Sequence, residues 1–77
     1  MSKTRRVGDK LMIEVWVNGK QLQVDRGTTV TGLLAREGLL TPIATVAVND
    51  KLLPRQDWDY RLREGDRVEV ISLMEGG

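Results

Sequence analysis

Hydrophobic and polar residues alternate over the first part of the chain with the two-residue period of a β-strand. Between residues 11 and 17 every second side chain is aliphatic and falls on one face, which leaves Met12 and Trp16 on the other face. Asn18-Gly19 follows and favours a tight turn, because both positions tolerate positive φ. The alternation resumes over residues 20–24, so the first unit is predicted to be a β-hairpin.

A helical periodicity replaces the alternation after this hairpin. Val30, Leu33 and Leu34 recur at the spacing of one apolar stripe on a helix. Thr28 or Thr29 can cap the N-terminus by accepting an otherwise unpaired backbone N–H. Gly38 suits the left-handed residue that ends a helix. We therefore predict one short helix that ends near Gly38.

The second half of the chain predicts short strands joined by turns. Pro54 ends the second of these strands, and Val68 and Val70 face inward on the last one. The predicted segments are a loop over 39–44, strands over 45–48, 52–53 and 67–73, and an irregular or 3₁₀ turn over 55–60 anchored by Trp58. The whole pattern predicts an α+β domain, with one main helix on a mixed sheet of four to five strands.

The composition argues against catalysis by the chain itself. Its 77 residues contain neither Cys nor His, which removes thiol nucleophiles, disulfides and the common zinc sites. The net charge of +1 gives no electrostatic footprint for nucleic acid. No apolar run approaches the ~20 residues of a membrane span. We expect a soluble cytoplasmic protein, monomeric when free, that serves as a substrate or a binding partner.

The two ends of the chain differ from the domain between them. Residues 1–10 carry a basic cluster without aromatic or periodic apolar residues, which predicts a disordered leader. The domain is predicted over 11–73 and a flexible tail over 74–77. The tail ends on Gly76-Gly77, and two residues without Cβ can pass through a channel too narrow for others. A Gly77 carboxylate would suit an enzyme that activates a protein carboxylate by adenylation; the alternative is a frayed end.

The second half of the chain resembles the ThiS family, the sulfur carriers of thiamin thiazole synthesis. The resemblance is carried by Ala47-Val48-Asn49, by Leu53-Pro54-Arg55 with Trp58, and by Glu64-Gly65-Asp66 ahead of the last strand and the diglycine. The Pro-Arg-x-x-Trp element is the most specific of these. The Asn18-Gly19 hairpin, Gly27-Thr28-Thr29-Val30 and Leu33-Leu34 are similar to the family's first half. The ten-residue leader is extra, and 38–45 is slightly long. The resemblance implies a β-grasp, or ubiquitin-like, fold.

The resemblance also implies that the chemistry belongs to Gly77 alone. An E1-like adenylating enzyme (ThiF-like) would use its own ATP and Mg to form the Gly77 acyl-adenylate. Sulfur from a persulfide of the cysteine desulfurase system would then replace AMP. The resulting thiocarboxylate would donate sulfur to a thiazole synthase (ThiG-like). Met74, Glu75 and Gly76 would thread the partner's channel, and the chain itself would bind no cofactor or metal. Trp58 is interpreted as a lid on the core, with Arg55 solvated or capping.

The alternation of the strands further predicts a docking surface for these partners. If Val68 and Val70 face the core, Ile71 and Leu73 face outward, as do Met12 and Trp16. In a β-grasp the first and last strands are neighbours, and cross-strand neighbours come within contact distance. Trp16, Ile71 and Leu73, with Met12, are therefore expected to form one exposed apolar patch beside the tail.

Other functions stay open at this stage. Among carriers, these are the small subunit of molybdopterin synthase and a carrier that serves cysteine or another sulfur-containing metabolite. The Leu53-Pro54-Arg55-x-x-Trp58 element and the brevity of the chain favour the thiamin pathway. From other classes come a ubiquitin-like modifier joined to lysines through Gly77, and a β-grasp interaction module whose diglycine is incidental.

Overall fold

A five-stranded mixed sheet with one helix forms the domain, which confirms the predicted α+β class. The computed structural model describes residues 11–72, so the predicted leader and tail lie outside it. The elements are β1 (Met12–Val17), β2 (Lys20–Asp25), α1 (Val30–Glu37), β3 (Ala44–Val48), β4 (Lys51–Leu53), a 3₁₀ turn (Arg55–Asp57) and β5 (Arg67–Ser72). The spatial order is β2-β1-β5-β3-β4, with β1 and β5 parallel and the other neighbours antiparallel.

The first hairpin forms as its sequence predicts. Asn18 and Gly19 have φ of 51° and 84°, the left-handed values that a tight hairpin turn requires. Ile13 is buried, as are the two valines that follow it at the next inward positions. Leu11 departs from this alternation, because it precedes β1 and is 76% exposed. Its carbonyl still accepts the Arg26 N–H, so the backbone ladder extends one residue beyond the buried face.

The helix is fixed by the two caps that its sequence provides. The Thr29 hydroxyl accepts the Gly32 N–H at 3.1 Å and so satisfies one of the unpaired donors of the first turn. The Thr28 hydroxyl instead donates to the Asp25 carbonyl. At the other end Gly38 has φ of 75°, the left-handed cap that glycine adopts most readily. The apolar stripe of α1 is buried against the sheet.

The core lies between α1 and one face of the sheet. Trp58 closes one end of it at 3% exposure, and its indole N–H donates to the Leu53 carbonyl at 3.0 Å. Leu62, for which the sequence analysis assigned no role, is also buried, and its N–H donates to the Thr28 carbonyl. The core residues are Ile13, Val15, Val17, Val24, Val30, Leu33, Leu34, Val46, Val48, Trp58, Leu62, Val68 and Val70.

One carboxylate is buried at the edge of this core and fastens the turn before β5. Asp66 is 6% exposed and accepts three hydrogen bonds, from the Tyr60 hydroxyl at 2.8 Å, the Asn49 side-chain amide at 2.9 Å and the Arg63 N–H at 2.9 Å. The side-chain oxygen of Asn49 in turn accepts the Arg67 backbone N–H at 2.9 Å. The network therefore ties the turn that follows β3 to the first residue of β5.

Replacing the buried carboxylate should destabilise the fold. Asp66→Ala leaves the Tyr60 and Asn49 donors without their acceptor, and we expect the free energy of unfolding to fall by about 2 kcal/mol or more. Urea denaturation measures this change. The matched control is Asp59→Ala, because Asp59 is exposed and should change stability by no more than about 0.5 kcal/mol. Equal effects of the two substitutions would contradict a structural role for Asp66.

The same network should make stability depend on pH at the alkaline end. Burial raises the pKa of Tyr60 above 10.0, and the hydrogen bond to Asp66 and the charge of Asp66 add to the shift. A raised folded-state pKa contributes stability that is complete below the unfolded pKa of about 10 and is lost as pH rises through the folded value. Wild type should therefore lose its stability advantage over Tyr60→Phe above about pH 10. A difference in unfolding free energy that stays constant through this range would contradict the assignment.

Candidate functional site

The candidate site begins where β5 ends, because this strand leads into the segment that carries Gly77. The predicted tail residues Met74, Glu75, Gly76 and Gly77 lie outside the described residues. The structure defines β5, the strand that immediately precedes them in the chain, and the neighbours of that strand. Ser72, the last residue of β5, pairs with Ala44 at the start of β3.

The two neighbours of β5 cover it unequally. Pairing with β3 runs along β5 from Val68 to Ser72. Pairing with β1 involves only the first two residues of β5, because the chain reverses at Asn18. The Asn18 N–H donates to the Val68 carbonyl at 2.9 Å, and its side-chain oxygen accepts the Val70 N–H at 2.8 Å. Asn18 thus supplies the hydrogen bonds that a further residue of β1 would have made to β5. Its turn propensity alone does not predict this role.

The Pro-Arg-x-x-Trp element lies beside β4, with Trp58 as the predicted lid on the core, whereas Arg55 makes contacts that its sequence did not predict. Pro54 follows the last residue of β4, and Trp58 is buried. The Arg55 guanidinium lies 4.1 Å from the centroid of the Trp58 ring and donates to the Thr41 carbonyl. Arg55 therefore links the 3₁₀ turn to the loop before β3, the strand that pairs with Ser72.

The predicted docking residues lie on the helix-free face but do not form one patch. Met12, Trp16 and Ile71 are exposed by 40%, 39% and 54% respectively. The register pairs Trp16 with Arg67 and Ile71 with Thr45, so the two side chains are offset by four positions along β5. At the rise of an extended strand this is about 13 Å. The predicted cross-strand contact between Trp16 and Ile71 is therefore wrong. Leu73, the fourth predicted member of the patch, lies outside the described residues.

Two further exposed apolar residues lie in the half of the sheet that includes Ile71, and the sequence analysis did not select them. Leu52 is 74% exposed and pairs with Ala47, which in turn pairs with Glu69 on the helix-free face. Ile43 is 51% exposed and immediately precedes β3. The alternation of β4 could have indicated that Leu52 faces away from the core. Its position near Ile71 follows only from the strand order, which places β3 and β4 on the same side of β5.

The remaining chemistry of the described residues is sparse. Within residues 11–72 no group of three or more acidic side chains is placed to hold a metal ion. The Arg67 guanidinium forms an ion pair with Asp50 at 3.0 Å, and both side chains are largely exposed. The helix of this region has eight residues and is too short to cross a membrane.

Comparisons with known proteins agree with this architecture. The structure is similar to the crystal structure of the thiamine biosynthesis protein ThiS from Geobacter metallireducens, with a TM-score of 0.68 and 33% identity over 84% of this chain and 100% of that one. This similarity confirms the β-grasp fold that the resemblance implied. The class is therefore a small ubiquitin-like domain whose last strand leads toward a diglycine.

Sequence comparison identifies the family. The family model for ThiS matches residues 15–77. The sulfur carrier protein ThiS of Thermus thermophilus is 36% identical over 64 residues, which cover 82% of this chain and 98% of the relative. The sulfur carrier protein ThiS of Escherichia coli is 26% identical over 66 residues, which cover 84% of this chain and 100% of the relative. The chain belongs to the ThiS family.

Proposed function

We propose that this chain carries sulfur for thiamin biosynthesis as a thiocarboxylate on Gly77. The observation that carries the proposal is that the family match extends through the diglycine, to residue 77, on a domain with the family's fold. The thiamin pathway is favoured over molybdopterin synthesis and protein modification because the ThiS model matches and the similar proteins are named ThiS.

The chemistry follows from the reactivity of a carboxylate. A carboxylate is a poor electrophile until one of its oxygens becomes part of a good leaving group. An E1-like, ThiF-like enzyme would therefore join Gly77 to AMP, using its own ATP and Mg. The terminal sulfur of a persulfide would attack the acyl carbon and displace AMP, which would form an acyl disulfide. A second thiol of the partner would then cleave the S–S bond, ending in a disulfide itself and releasing the thiocarboxylate that a ThiG-like thiazole synthase would consume. A persulfide from a cysteine desulfurase system would supply the sulfur.

The chain acts in this scheme as a protein co-substrate and not as an enzyme. It contains no His or Cys, so the general base, the metal and the sulfur nucleophile come from its partners. What the domain contributes is a rigid platform. β5 is held along its length by β3, and five residues after Ser72 reach Gly77. Met74, Glu75 and Gly76 would occupy the channel that leads to the partner's active site.

Removing Gly77 should abolish the activity without unfolding the domain. After incubation with the adenylating enzyme, MgATP and a persulfide donor, the intact mass of wild type should rise by the difference between sulfur and oxygen. The chain without Gly77, and the Gly76→Trp variant, should show no such gain, because the terminal carboxylate stops one residue short of the reactive position or cannot enter the channel. Both should unfold at the wild-type urea concentration, since terminal residues contribute little buried area. A full mass gain by the chain lacking Gly77 would refute the proposal.

The docking role assigned to the helix-free face is a separate proposal. Met12 and Ile71 lie toward opposite ends of this face, with Trp16 between them, and Leu73 follows Ile71 in the sequence. We expect Ile71→Glu and Trp16→Glu each to weaken binding to the adenylating enzyme by at least about tenfold, because a charge replaces a buried apolar contact.

A substitution on the opposite face serves as the control for docking. Ala35→Glu places the same charge on an exposed position of α1, which packs against the other side of the sheet. It should leave the affinity unchanged, and all three variants should keep the melting temperature of wild type. If Ile71→Glu and Trp16→Glu bind like Ala35→Glu, this face is not the docking surface.

A further inference from the structure

We propose that the open edge of β5 beyond Asn18 pairs, strand to strand, with an extended segment of the adenylating partner. This inference rests on the proposed function for the identity of the partner. It concerns main-chain groups and not the exposed apolar side chains of the sheet face. The open edge consists of the backbone of Val70 and Ser72 on the side that faces away from β3.

The direction of these backbone groups follows from the observed hydrogen bonds. The Val68 carbonyl and the Val70 N–H both point toward the β1 side, since both bond to Asn18. Backbone groups of alternate residues in a strand point the same way, so the Ser72 N–H and the Val70 carbonyl point to this side as well. The carbonyl of Arg67 points to the β3 side, where it accepts the Asn49 N–H. β1 ends at Val17, so the register gives the Ser72 N–H no partner strand within residues 11–72.

At the amino end of β5, the backbone groups of β1 that extend beyond it are hydrogen-bonded. Within residues 11–72, the unpaired edge therefore lies at the carboxyl end of β5, the end that precedes the diglycine. β1 extends beyond β5 at its amino end, and there the turn before β5 satisfies its backbone. The Gly65 N–H donates to the Glu14 carbonyl at 2.7 Å, and the Trp16 N–H donates to the Asp66 carbonyl at 2.9 Å. The Glu14 N–H donates to the Glu64 carboxylate at 3.2 Å. Only the carboxyl end of β5 lacks such cover among the described residues.

The position of Gly77 limits the candidates for this edge to enzymes that act on the C-terminal carboxylate, and the adenylating enzyme is the first of these in the proposed scheme. The five residues from 73 to 77 span at most about 17 Å when fully extended. Whatever holds the Gly77 carboxylate in its active site must therefore reach within that distance of Ser72. An open strand edge is a template for an added strand, and main-chain hydrogen bonds of this kind recognise extended segments. If the partner's segment ran parallel to β5, one of its residues would donate its N–H to the Val70 carbonyl. The carbonyl of that same residue would accept the Ser72 N–H.

Proline substitution tests the edge directly. Ser72→Pro removes the N–H that points to the open side, and proline is tolerated where that N–H is not used by the sheet. We expect this variant to bind the adenylating enzyme about fivefold to tenfold more weakly, the loss of one hydrogen bond. Ser72→Ala keeps the N–H and should bind as wild type does. Ile71→Pro should unfold the domain, because the Ile71 amide points to β3. Wild-type affinity of Ser72→Pro would overturn the inference.

Amide hydrogen exchange of the wild-type chain provides a second measurement that does not depend on the folding of a variant. On addition of the adenylating enzyme, exchange at Ser72 should slow by at least about tenfold, whereas exchange at Val46, inside the core ladder, should not change. Unchanged exchange at Ser72 would overturn the inference. The readout also separates the two proposals: slowed exchange at Ser72 without thiocarboxylate formation refutes the Gly77 chemistry alone. Thiocarboxylate formation with unchanged exchange refutes strand addition alone.

Discussion

The pairing of β5 with β1 on one side and β3 on the other holds the two halves of this domain together. The hairpin β1-β2 and the pair β3-β4 are each local units, and the sheet joins them only through this strand. Val68 and Val70 complete the buried face that α1 covers. A short sheet or an isolated hairpin has little stability in water, so the two halves of the domain stabilise each other through β5. The strand that leads to Gly77 is thus also the strand that completes the fold.

Side-chain amides and one carboxylate close the sheet where its strands run out of partners. Asn18 accepts the Val70 N–H beyond the end of β1, and Asn49 accepts the Arg67 N–H beyond the end of β3. Both residues have positive φ, which turns their backbone away from β5 while the side chain reaches back to it. Asp66 completes the arrangement from within the turn. Because a buried polar group without a partner is costly, these residues help to hold the register of β5 together with its apolar face.

This construction suits the proposed reaction, which would take place on the main chain. The fold positions a strand, and the proposed reaction uses the carboxylate five residues beyond it. In the two proposals above, the partner would recognise a backbone, first along β5 and then along a diglycine that has no side chains. The absence of His and Cys from the chain fits the proposed scheme, in which the partner enzymes would provide every catalytic group.

The local elements of this protein follow from short stretches of its sequence. The alternation of residues 11–17, the Asn18-Gly19 turn, the threonine cap and Gly38 each act within a few residues, so periodicity and backbone preference suffice to predict them. The family and the diglycine were readable in the same way, because they are short motifs.

The offset between these elements depends on contacts between distant parts of the chain. The stagger of β1 against β5 separates Trp16 from Ile71, buries Asp66 and gives Asn18 its second role. Alternation fixes which face a side chain takes, but it carries no information on how far one strand slides along a neighbour fifty residues away. That distance is set by the turn before β5 and by the packing of Val68 and Val70 under the helix, which exist only once the chain has folded.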